Sequence, residues 1–246
     1  MNTTLKNTLA AIAATSALIS VSAPAYAFGF GTNGISFEQD TTVNFTFGSS
    51  NGGKTSSLGV YEVKNGFLTN VAALFWETKA SDKGGEKDYK ATFGNSVTSS
   101  TGKSAVSFTF LANTVYSLGL YSGNFNASTG LTNTVFKAGT YDLVSSTSAV
   151  NFKGQQQAVF GSNINIDKKA TTPFDVNNGA VSNYTSGNLL KGLTIGFEDR
   201  VFGSDKDYND FSVTASVPEP FTMSGLALGL GGLVTMRRRQ QKKASS

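Results

Sequence analysis

Between residues 28 and 216, apolar and polar residues alternate with a period of two in several short segments. In segment 41–47, Val43, Phe45 and Phe47 fall on one face of an extended chain. Successive side chains of a β-strand point to opposite faces, so this alternation is typical of strands with one buried face. The pattern predicts strands at 41–47, 57–63, 67–75, 105–110, 115–121, 140–144, 149–152, 158–160, 193–197 and 211–217.

Clusters of glycine, asparagine and serine separate these segments, and no helix longer than a turn or two is evident between residues 28 and 216. Many short strands joined by polar turns predict an all-β fold, an antiparallel β-sandwich of the jelly-roll kind. A body of about 190 residues is long enough for one domain with a sizeable core. We therefore expect a single sandwich domain over residues 28–216.

The N-terminal segment has the order of a secretion signal. A basic Lys6 precedes an apolar stretch at about 9–21, and Ala25 and Ala27 form an Ala-x-Ala cleavage site. We predict a signal peptide over residues 1–27 and cleavage before Phe28. The alternative is an N-terminal helix of a soluble domain, which fits poorly with the cleavage site and with the glycine-rich sequence after it.

The C-terminal segment, residues 217–246, has three parts in order. Pro218, Glu219 and Pro220 favour an extended chain, and an uncharged, mainly apolar stretch at 221–236 follows. A basic group that would remain cytoplasmic comes next and contains Arg237, Arg238 and Arg239. We predict a short transmembrane helix. We interpret the whole segment as a sorting signal, and the alternative interpretation is a simple membrane anchor.

This arrangement closely resembles the PEP-CTERM sorting signal of Gram-negative bacteria. The resemblance covers about the last thirty residues and implies processing near Pro218–Pro220 by an exosortase, a transpeptidase-like membrane enzyme. It also implies that the helix holds the chain in the membrane before processing. The expected destination is the cell envelope, the outer surface or the extracellular matrix.

Charge and composition narrow the possible chemistry of the body. The whole chain has a net charge of +4, but removing the six basic residues and Glu219 of the two ends leaves 14 basic and 15 acidic residues. Nucleic-acid binding is not expected of a body without a basic excess. The chain has no cysteine and no histidine, which excludes disulfides, histidine-based catalysis and the usual zinc sites. Any metal would be bound by oxygen, which favours calcium.

One acidic segment follows strand 193–197 and carries the candidate site. Five of the body's acids lie within residues 198–210, and crowded carboxylates repel one another unless a cation or protons neutralise them. The start of the segment has the spacing of an EF-hand loop, but Asp210 and Ser216 replace that motif's glycine and glutamate. The predicted calcium ligands are Glu198, Asp199, Asp205, Asp207, Asn209 and Asp210.

A solvated turn held by Asx-type hydrogen bonds is the alternative interpretation of this segment, with Arg200 and Lys206 balancing part of the charge.

The same acidic residues, together with segment 57–63, resemble an uncharacterised domain family of bacterial surface proteins. That resemblance implies calcium-stabilised binding or a structural role in a matrix, and it implies no enzymatic activity.

A second acidic patch, with interspersed lysines, begins at Glu77 and is interpreted as a solvated hairpin loop; its acids are Glu77, Asp82, Glu86 and Asp88. Trp76 beside it is expected to be a core aromatic, and stacking on a sugar is the alternative.

The predicted function is therefore a non-enzymatic, calcium-stabilised surface or matrix protein that organises exopolysaccharide, biofilm or envelope. A carbohydrate-binding module is the first alternative, and a hydrolase with paired carboxylates is the second.

Overall fold

The computed structural model describes residues 28–84, 89–161, 189–203 and 207–218. The predictions for both ends of the chain, except Pro218, and for Asp205, Glu86 and Asp88 lie outside the described residues. Within these ranges, no helix combines the length and the apolar character needed to cross a bilayer.

The described part of the chain is all-β, as the alternation predicts. Two short 3-10 turns, Ser148–Val150 and Phe152–Gly154, interrupt the strands. The strands are β1 Phe28–Gly31, β2 Gly34–Phe37, β3 Thr41–Ser50, β4 Ser57–Lys64, β5 Phe67–Glu77, β6 Val97–Ser99, β7 Ala105–Phe110, β8 Tyr116–Tyr121, β9 Val135–Lys137, β10 Leu143–Ser145, β11 Ala158–Gly161, β12 Leu193–Phe197 and β13 Phe211–Ser216.

These strands form two sheets in which every pairing is antiparallel. The first sheet has the order β1-β2-β8-β4-β5-β6, with β10 beside β8 and β9 beside β5. The second has the order β11-β12-β13-β3-β7. Residues of both sheets, among them Leu58 and Phe75 of the first and Phe45 and Ile195 of the second, belong to one buried hydrophobic cluster. The two sheets therefore share a core, as in a sandwich-like arrangement.

Individual strands differ in how many of their faces are covered. In β3, Val43 and Phe45 are buried while Thr42 and Thr46 are exposed, which is the predicted alternation. In β4 and β8, by contrast, five consecutive residues are buried, because a second cluster around Tyr61 covers the other face of that sheet. Gly119 makes room for this cluster, since a Cβ there would lie 2.6 Å from the Tyr61 ring.

The predicted strand at 149–152 is wrong. Residues 148–154 form the two 3-10 turns, and Lys153 adopts a left-handed φ of 51°. The side chain of Asn151 stabilises this conformation, because its amide donates to the carbonyl oxygens of Ser145 and Gln155, each at 2.8 Å. An asparagine that bonds to nearby backbone favours a turn over a strand.

Candidate functional site

The fold places the acidic loop, residues 198–210, beside two other segments: the residues that follow β3 and the end of β5. The loop joins the neighbouring strands β12 and β13, and β13 pairs with β3 so that Phe211 lies opposite Ser50. Residues that follow β3 therefore lie beside the loop. The end of β5 reaches the same place from the first sheet, where Glu77 N–H donates to the Ser56 carbonyl at 2.9 Å.

Asp199 is buried and accepts hydrogen bonds from the segment after β3. Its Oδ2 accepts the Lys54 N–H at 2.8 Å, and its Oδ1 lies 3.2 Å from Arg200 Nε. Gly52 allows this approach, because a Cβ at that position would lie 2.8 Å from Asp199 Oδ2. Asp199 therefore connects the acidic loop to the β3–β4 connection.

Asp210 lies at the other end of the loop and is bonded to Asp199. Its Oδ2 accepts the Asp199 N–H at 2.8 Å, and its carbonyl oxygen accepts the N–H groups of Asn51 and Gly52, each at 3.1 Å. Burial and the neighbouring Asp199 carboxylate raise the pKa of Asp210 to about 8. An acid in this position is neutral over much of the physiological range.

Three of the other predicted ligands, Glu198, Asp207 and Asn209, make hydrogen bonds within the loop itself. Glu198 is buried, and its Oε1 accepts the Tyr208 N–H at 2.6 Å. Asp207 Oδ1 accepts the Asn209 N–H at 3.2 Å, and its Oδ2 accepts a hydrogen bond from Asn209 Nδ2. The contact between Asp207 and Asn209 is an Asx-type turn, as the alternative interpretation expected. The two ends of the loop are nevertheless not solvated, because Glu198, Asp199 and Asn209 are buried.

Glu77 also lies beside the acidic loop, and it is not among the site residues predicted from the sequence. It is 0% exposed, so its assignment to a solvated hairpin loop is wrong. Ser50 Oγ contacts its Oε1, and the Ser56 N–H donates to its Oε2 at 2.7 Å. A signal for this position was the apolar run that precedes it, since the last five residues of β5, which end at Glu77, are all buried.

The contacts of Ser50 favour a protonated Glu77. Ser50 Oγ carries one proton but lies within hydrogen-bond distance of two acceptors, Glu77 Oε1 and the Asp210 carbonyl, the latter at 3.0 Å. While Glu77 is charged, Ser50 can donate to only one of them; a neutral Glu77 would have an O–H of its own to donate to Ser50, which would leave the Ser50 proton for Asp210. Burial and the Asp199 charge raise the pKa of Glu77 to about 8, although hydrogen bonds from Ser50 and Ser56 to the charged carboxylate oppose this rise.

We call Glu77, Glu198, Asp199, Asp207 and Asp210 the carboxylate cluster. Beside it is a surface pocket of about 190 Å³, lined by Asn51, Gly53, Tyr89, Asp199, Arg200, Gly203 and Asp210. The pocket brings together two of the six predicted calcium ligands, Asp199 and Asp210. Among the described residues, no group of three or more acidic side chains is arranged to hold a metal ion.

Trp76 is a core residue, as expected. It is buried, and its indole N–H donates to the Ala127 carbonyl at 2.8 Å. A buried ring cannot stack on a sugar, so the alternative interpretation of Trp76 as a binding platform is wrong.

No family model, curated protein or solved structure matches the chain.

Proposed function

We propose that the chain is an exported, non-enzymatic protein of the surface or extracellular matrix of a Gram-negative bacterium. The signal-like segment ending at Ala27 supports export. The order of Pro218–Pro220, an apolar stretch and an arginine group supports processing by an exosortase and a link to exopolysaccharide. The all-β body fits this role, and a jelly-roll topology is part of the same proposal.

We further propose that calcium stabilises the acidic loop, and the carboxylate cluster is the observation that carries this idea. Burial and the neighbouring Asp199 carboxylate raise the pKa of Asp210, and a bound cation would offset the repulsion between the two charges. Asp199 and Asp210 would supply ligands from the pocket. Calcium takes six to eight oxygens, so Glu198, Asp205, Asp207 and Asn209 are the proposed source of further donors.

Calorimetry of the full chain in mild detergent, with calcium and with a chelator, tests the proposal. At a calcium concentration about a hundred times the Kd, we expect the Tm to rise by about 5–10 °C. Asp210→Asn should reduce this rise, because it removes a carboxylate that would become charged when the cation displaces its proton. Glu38→Gln, at an exposed carboxylate far along the chain from the loop, is the matched control. An unchanged Tm would contradict the calcium proposal.

Hydrolysis by paired carboxylates receives little support from the same contacts. Oxygens of Glu77, Glu198 and Asp199 accept backbone N–H groups inside the protein. A glycosidase needs its two carboxyl groups on either side of the scissile bond. An Asp207→Asn variant with lower activity on a polysaccharide substrate would argue for the enzyme.

A further inference from the structure

Three aromatic rings from separate segments meet at the surface. Tyr141 precedes β10, Phe152 lies in the second 3-10 turn, and Phe202 belongs to the acidic loop. The ring centroids of Tyr141 and Phe152 are 4.9 Å apart, and Phe202 lies 5.4 Å from each of them. We call these three residues the aromatic surface.

Two of the three rings remain open to solvent. Tyr141 is 54% exposed and Phe202 is 61% exposed, whereas Phe152 is partly buried and packs against the main core. Phe152 therefore fixes the other two rings to the body. Solvating the two exposed rings is unfavourable, so a ligand that covers them would gain free energy from their burial.

A cation borders the aromatic surface. Lys153 Nζ lies 5.3 Å from the centroid of the Phe152 ring. In the part of the chain that the structure describes, no carboxylate is within ion-pair distance of Lys153, while Arg200 in the acidic loop is paired with Asp199. The Lys153 side chain is exposed, so its ammonium group can meet an external anion beside the rings.

The size of the surface argues against a protein partner. An aromatic side chain can bury about 150–250 Å², so the exposed parts of Tyr141 and Phe202 together present about 200 Å². A standard protein interface covers about 800 Å² on each side. The aromatic surface is therefore the right size for a ligand much smaller than a protein. Its rings and Lys153 favour a ligand with a flat apolar face and a negative charge.

We propose that the aromatic surface binds an acidic polysaccharide, with uronic-acid sugar rings packed on Tyr141 and Phe202 and a sugar carboxylate beside Lys153. The C–H face of a pyranose ring supplies the apolar contact, and the carboxylate supplies the charge that Lys153 complements. A single-stranded nucleic acid could also stack on the rings, but the body has no basic excess to attract its phosphates. This inference deepens the proposed function, because it rests on the placement of the body among extracellular polysaccharides.

Biolayer interferometry with immobilised polysaccharides tests the inference on the full chain in mild detergent. Alginate, a polymer of uronic acids, is the acidic probe, and dextran is the neutral probe. We expect the chain to bind alginate and to bind dextran at least tenfold more weakly. Tyr141→Ala combined with Phe202→Ala should weaken alginate binding at least tenfold.

Two further variants keep the result interpretable. Lys153→Gln should weaken binding to alginate several-fold, and because the side chain is exposed it should not affect folding. Phe67→Ala, at a phenylalanine of β5 that is 47% exposed, is the matched control and should bind like the unmodified chain. Circular dichroism confirms that each variant is folded.

The inference is overturned if alginate does not bind, if dextran or oligo-dT binds equally well, or if the aromatic variants bind alginate like the Phe67 control. A failure of the proposed function would be seen elsewhere, in the location of the chain in the cell or in the absence of a calcium effect on the Tm. The two failures are therefore distinguishable.

Discussion

At the scale of single residues, Glu77 and Asp210 make the stability of the protein depend on pH. Burial raises the pKa of Glu77 from 4.5 to about 8, so the folded state holds this proton more tightly than the unfolded chain. Protonation therefore favours folding. The stabilisation is complete below about pH 4.5 and is lost as the pH rises to 8.

We predict that, in a chelator, the free energy of unfolding falls as the pH rises from about 5 to 8. The loss should be on the order of 3 kcal/mol for Glu77, since each unit of pKa difference is worth about 1.4 kcal/mol. The chain has no histidine or cysteine to titrate in this window. Urea unfolding at several pH values measures the effect.

Glu77→Gln should reduce this pH dependence, because glutamine resembles the neutral acid in shape but does not titrate. The exposed Glu38→Gln variant should leave it unchanged. Equal pH profiles for the unmodified chain and Glu77→Gln would contradict a protonated Glu77.

Some residue contacts of the candidate site could be predicted from the sequence, and others could not. The grouping of Glu198, Asp199, Asp207 and Asp210 could be predicted, because they are close along the chain and follow one strand. The contact between Ser50 and Glu77 could not, since it depends on how the two sheets pack. The interspersed lysines suggested a solvated position for Glu77, whereas the apolar residues directly before it in β5 were the better guide to its burial.

At the scale of elements, period-two alternation was a reliable guide where one face of a strand is buried. Strand β7 and strand β12 lie at their predicted positions, and β3, β5 and β13 differ only at their ends. The short strands β1, β2, β6 and β9 were missed, because three or four residues show little of a period, although β11, which is equally short, was predicted. Their pairing comes from neighbours that a sequence pattern does not reveal.

The bulge between β13 and β3 gives a prediction at this scale. Their register shifts between Phe211 and Val213, and Ser212 Oγ accepts the Ser49 N–H at 2.8 Å. The side chain thus replaces a ladder hydrogen bond that the bulge removes.

We predict that Ser212→Ala lowers the free energy of unfolding by about 1–3 kcal/mol, because it leaves the Ser49 N–H without this acceptor. Ser107→Ala, at an exposed position of β7, should change it by less than about 0.5 kcal/mol. Urea unfolding of both variants provides the comparison. A Ser212 variant as stable as the Ser107 control would show that the bulge needs no side-chain bond.

At the scale of the whole molecule, the two ends account for the basic character of the chain. The pI of the full sequence is about 9.2, while residues 28–216 carry one more acid than base. A chain trimmed at both ends would therefore be near neutral and slightly acidic.

We predict that the chain recovered from a Gram-negative host begins at Phe28, as intact-mass measurement would show. Replacing Ala25 and Ala27 by leucine should prevent cleavage, because signal peptidase needs small residues at these positions. Ala23→Leu, just outside the site, is the control. Recovery of the unmodified chain with Met1 still present would contradict the export proposal.

Phe202 and Asp199 are three residues apart on one loop, so the two proposed ligands would bind to the same short segment. If both ligands favour one conformation of this loop, binding of either one strengthens binding of the other. Thermodynamic linkage requires the two effects to be equal in free energy. On the proposed functions, a cell surface depleted of calcium would thus release part of its polysaccharide, and a polysaccharide-rich surface would retain calcium better.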